Sequence, residues 1–79
     1  GILMKDLAVG YLKSKAFSDR TKALMSLKLL TENAVGIGDH STGDFYKNLD
    51  EALDLLIDAD DRIETLEKYF HGIENANNE

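Results

Sequence analysis

The residues of this 79-residue chain best suited to chemistry are the carboxylates of its second half. Glu51 and Asp54 make an E-x-x-D spacing, and Asp58 and Asp61 follow one and two turns further on. On a helix that spacing presents oxygen ligands from successive turns, the donor set that magnesium takes when it polarises phosphate oxygens. Glu51, Asp54 and Asp58 are therefore the candidate metal ligands. The matching activity is magnesium-dependent hydrolysis of the kind performed by all-α nucleotide pyrophosphohydrolases. Such sites also need facing carboxylates from another helix, usually a second E-x-x-E. The first half of the chain offers Asp6, Asp19 and Glu32, which do not make that spacing.

Other constellations are weaker. Glu67 and His71, four residues apart, could hold two positions of a transition metal, and a two-fold axis would be needed to bring four ligands together. Asp39, His40 and Ser41 contain the residue types of a catalytic triad, but a triad is a spatial arrangement usually drawn from separate elements. Gly36, Gly38 and Gly43 could frame backbone amides for an anion at a helix N-terminus. They lack the lysine of a P-loop, and Asp39 and Asp44 compete for the same positive potential. A helix-turn-helix over residues 19–50 would carry Asp50 into the phosphate backbone, with Glu51 and Asp54 just beyond. No catalytic or cofactor-binding residue is assigned on these patterns.

The elements that must position these groups are helical. Phe45, Leu49, Ala52, Leu56, Ala59, Ile63, Leu66, Phe70 and Ile73 alternate at spacings of four and three. This is the apolar seam of a coiled coil or long bundle helix, running from Ser41 to about Phe70. Ser41 followed by Asp44 resembles a capping box at its start. Asp54 and Asp61 fall opposite the seam, where solvated charge belongs.

Upstream, Leu3, Met4, Leu7, Ala8, Tyr11 and Leu12 predict a first helix over residues 2–14. Lys15–Ser18 reads as a break, with Ser18 as an N-cap and Asp19 at the positive end of the next dipole. A second helix follows from about Asp19 to Asn33, its seam formed by Ala23, Leu27, Leu30 and Ala34. Residues 34–44 form the corner. Gly72 is the expected stop, giving one helical domain over 1–72 and a polar, frayed tail over 73–79.

A second helix of 15 residues spans about 22 Å, roughly half of a 45 Å partner. The expected fold is thus all-α, with two short helices packed antiparallel on one long C-terminal helix and the bundle completed by dimerisation. The expected oligomer interface is Leu49, Leu53, Leu56, Ile63, Leu66 and Phe70. A chain of this size buries a thin core, and with no cysteine it has no disulfide to reinforce it.

Charge is unevenly spread. Residues 1–38 carry six Lys/Arg against three Asp/Glu, and residues 39–79 carry three against twelve, for a net of −6. The balance argues against nucleic acid as a partner and for a basic first half lying against an acidic second half. No apolar run approaches the roughly 20 residues of a membrane span. The absence of cysteine fits a cytoplasmic setting, and Met4 is a candidate native start. The expected function is a non-enzymatic helical oligomeric module for protein–protein interaction, a homodimer foremost, without cofactors. The magnesium enzyme is one alternative, and an acidic protein that binds a basic host partner is the other.

The run Gly36-Ile-Gly-Asp-His-Ser41, with Asn48-Leu-Asp-Glu-Ala-Leu53 and Asp58-Ala-Asp-Asp61, resembles a small family of helical proteins of tailed marine bacteriophages. The similarity spans residues 24–70. It implies expression in the cytoplasm of a bacterial host and carries over no activity and no site residue.

Overall fold

The computed structural model describes residues 3–32 and 42–77, leaving aside the side chains of Thr42 and 71–77. Within them the chain forms two helices, α1 (Met4–Glu32) and α2 (Thr42–Asn77), packed along their lengths. The contacts run in opposite directions along the two sequences. Lys13 reaches Phe70, Arg20 reaches Asp60, and Leu30 shares a groove with Asn48 and Ala52, so the pair is an antiparallel hairpin. No strand occurs among the described residues.

The all-α reading holds, but two short helices on a long one is replaced by a single 29-residue α1. The predicted break at Lys15–Ser18 does not form. Nothing in that stretch is a proline or glycine that would stop a helix. Across it Lys15 Nζ donates to Asp19 Oδ2 at 2.7 Å, an i,i+4 pair that only a continuous helix makes. Ser18 and Asp19 are good capping residues only where the chain has already turned, and here it has not.

On α2 the 4-3 stripe is the covered face. Ala52, Ala59 and Leu66 are buried, and Phe45, Leu49, Leu56, Ile63 and Phe70 are half-buried. On α1 the expected second-helix seam also turns inward, with Ala23 buried and Leu27 and Leu30 half-buried; Ala34 lies outside the described residues. The expected first-helix stripe does not. Leu3, Met4, Leu7, Tyr11 and Leu12 are all exposed, and the inward row there is instead Asp6, Val9, Lys13 and Ala16. Once α1 is continuous, its rotation is set by Ala16 and Ala23. The antiparallel register brings Ala23 against the Ala52–Ala59 stretch and Ala16 just beyond it, toward Ile63. Four small side chains let the two backbones approach closely, and large residues in those layers would not fit.

The result is a thin core. Its buried apolar members are Val9, Leu66 and the four alanines, and no large side chain is fully enclosed among the described residues. Lys13, 6% exposed, stands in the same row and donates from Nζ to the Phe70 carbonyl at 3.2 Å. Phe70 has non-helical dihedrals (φ −136°, ψ 29°), which disturb the regular ladder and leave its carbonyl open to an outside donor. The Lys13 ammonium fills that role while its stem packs in the seam. Beyond this irregularity α2 continues through Gly72 to Asn77, so the expected stop at Gly72 is not where the helix ends. No helix of the described residues is long and apolar enough to cross a membrane.

Candidate functional site

The carboxylates with metal-ligand spacing lie on the outer side of α2. Glu51, Asp54 and Asp58 are exposed, and the described residues contain no cluster of three acidic or histidine side chains able to hold one ion. Asp58 Oδ2 accepts from Arg62 Nε at 2.8 Å. Across the hairpin the Lys15 hydrogen bond holds the Asp19 carboxyl below the ordinary carboxylate range, with the charges of Lys22 and Arg62 adding to it. The same bond raises Lys15 above the usual lysine value. Cations of the chain itself thus pair with Asp58 and Asp19. Glu67 is exposed, and the side chain of its candidate partner His71 lies outside the described residues, as do Gly36, Gly38, Asp39, His40 and Ser41.

The surface divides into two flanks along the helix–helix seam. On one flank Leu12, Arg62 and Leu66 line a shallow groove, and Ser26, Leu30, Asn48 and Leu55 line a second. This rear flank holds the charge pairs Lys15–Asp19 and Asp58–Arg62. The opposite, front flank is marked by Arg20 Nε, which bonds Asp60 Oδ1 at 3.1 Å, an ion pair that bridges the helices. The residues that follow each buried layer lie on it: Phe17 and Leu24 on α1, Tyr46 and Leu53 on α2. All four are exposed.

The arrangement on α1 inverts the usual order. The row facing α2 contains Asp6, Lys13 and Arg20, whereas a second 4-3 row facing outward reads Leu3, Leu7, Gly10, Ser14, Phe17, Thr21 and Leu24. That outward row holds no charge until Lys28. Sequence reasoning placed the apolar residues of α1 against α2 and missed this row. The signal was present in the uninterrupted 4-3 spacing of uncharged residues from Leu3 to Leu24, which runs through the supposed break.

Of the residues expected at an oligomer interface, Leu66 is buried against α1 within the chain. Leu49, Leu56, Ile63 and Phe70 are covered on one side and open on the other, and Leu53 is exposed. What this geometry offers chemically is a broad apolar surface, with no assembled set of catalytic groups among the described residues. Comparison of the chain with protein-family models, with curated proteins and with solved structures returned no match.

Proposed function

We propose that the protein is a non-enzymatic helical module that works by association, first with a second copy of itself and through that assembly with another protein. The observation that carries this reading is the distribution of large apolar side chains. Met4, Leu7, Tyr11, Phe17, Leu24 and Leu53 are each more than 40% exposed, while alanines fill the core. A lone hairpin of this kind leaves uncovered the surface that normally drives folding. Its total accessible area is 6042 Å², where a compact monomer of its mass exposes about 4,800 Å². Its radius of gyration is 16.8 Å, against about 12 Å for a compact chain of this length.

A four-helix bundle made from two hairpins covers that surface, and the half-buried Leu49, Leu56, Ile63 and Phe70 then become central. A chain folded through such contacts melts at a temperature that rises with its concentration. A melting temperature unchanged over a hundredfold dilution would contradict the proposal. The magnesium alternative is separated by the same melts. It requires a metal-dependent stabilisation that is lost in Asp54→Asn, and the association reading expects none.

A further inference from the structure

Resting on that association reading, we infer that the second copy docks on the front flank with its two-fold axis parallel to the helices, so that each α1 lies against the partner copy's α2. Three observations select the face and the orientation. The first is composition. Leu7, Phe17 and Leu24 of α1 and Tyr46, Leu53 and Ile57 of α2 give the front flank an apolar surface drawn from both helices, with the Arg20–Asp60 pair, whereas the rear flank exposes Leu12 and Leu29 beside the Lys15–Asp19 and Asp58–Arg62 pairs. Gly10, Ser14 and Thr21, interleaved with the large residues of α1, let a partner helix approach closely.

The second is area. The surface in excess of a compact monomer, about 1,200 Å², is more than the roughly 800 Å² that each partner gives to a standard interface. A front face running the length of α1, 29 residues or about 43 Å, supplies that area without using the rear flank.

The third is charge. Around the front flank α1 presents Arg20 and Lys28, and α2 presents Asp50, Asp60, Glu64 and Glu67, all exposed, with Arg20 and Asp60 already paired inside the chain. Two face-to-face arrangements have two-fold symmetry. An axis perpendicular to the helices stacks α1 on α1 and α2 on α2, setting four acids of one copy against the same four of the other. An axis parallel to the helices sets each basic α1 over an acidic α2, with like charges on the diagonal. The second is favoured by the same asymmetry that pairs α1 with α2 inside the chain. In it every neighbouring pair of helices is antiparallel, and the C-terminal ends of both α1 helices lie at one end of the bundle. The heights at which α1 and α2 already meet then put Leu24 beside Leu53 of the second copy.

The chain has no cysteine, so introduced thiols report neighbours without background. Singly substituted Leu24→Cys and Leu53→Cys proteins, unfolded together, refolded as a mixture and treated with a short bismaleimide, are expected to yield a linked dimer containing one of each. Phe17→Cys alone, near the middle of α1, is expected to stay unlinked, because the two α1 helices lie on the bundle diagonal. Linking of Phe17→Cys to itself with none between Leu24→Cys and Leu53→Cys would overturn the orientation. Dimers that form with no link at either position, yet are abolished by Leu29→Glu on the rear side, would overturn the face. In both cases the association reading stands. Circular dichroism of each variant checks that it folds, and a monomeric mass for the unsubstituted protein overturns both readings together.

Discussion

Lys15 and Asp19 show how a residue pair can carry more structural weight than its energy suggests. Lys15 is largely solvated and Asp19 half-buried at the surface, so the pair adds little to stability, yet its geometry requires the helix that runs through the expected break. Its pH dependence follows from the two shifts. Asp19 is held below its ordinary value, so its contribution is present above the unfolded carboxylate pKa and fades as pH falls through the lower, folded value. Lys15 is raised, so its contribution is complete below the unfolded lysine pKa and fades as pH rises through the folded value. Urea unfolding of Asp19→Asn beside the parent chain should show a small destabilisation, constant through neutral pH and vanishing below the carboxylate range. A difference that persists in strong acid would deny the pair its role. Gly43 supplies a second residue-scale expectation. It lies in the first turn of α2 without positive φ, and a Cβ there meets nothing within 4 Å. Gly43→Ala should therefore stabilise the chain by about 0.5–1 kcal/mol, seen as a higher urea midpoint with an unchanged slope.

The long α2 stripe was legible in the sequence because its periodicity is strict and its apolar positions are large. From Phe45 to Phe70 every member of the 4-3 row is buried or half-buried. The helix α1 was legible only in part. Ser18-Asp19 carries the local signature of a helix start, and local signatures cannot see that Val9, Ala16 and Ala23 stand in one continuous buried row. The rotation of α1 puts Val9, Lys13, Ala16 and Ala23 in the seam, a row that local apolarity in the first 14 residues does not single out, which is why Leu3, Leu7 and Tyr11 were placed on the wrong side. The contact itself is testable. Ala23 is fully enclosed, and Ala23→Leu forces extra methylenes between two closely packed backbones. It should cost about 1–3 kcal/mol, whereas Leu29→Ala, at an exposed position, should cost well under 1 kcal/mol by thermal or urea melting. Equal effects would mean that the helices are not held together at the alanine layers. The acids of α2 illustrate the opposite lesson. Their spacing suggested a metal, but spacing along one helix does not supply the opposing ligands, and Arg62 already lies against Asp58.

At the scale of the whole molecule, the hairpin is an incomplete object. Alanines hold four of the six buried apolar positions among the described residues, Asp6, Lys13 and Arg20 stand in the α1 row that faces α2, and Leu7, Phe17 and Leu24 of α1 are exposed. In the proposed dimer a second copy would cover the front flank and set the basic helix of each chain against the acidic helix of the other. The most direct test is the solution mass by sedimentation equilibrium, read for the parent chain and for Leu24→Glu, whose charge is introduced on the front flank. The parent chain should show twice the 8.8 kDa of a single chain at micromolar concentration, and Leu24→Glu should remain helical but shift at least tenfold toward monomer. A parent chain that sediments at 8.8 kDa as a stable, cooperatively folded hairpin would contradict the account.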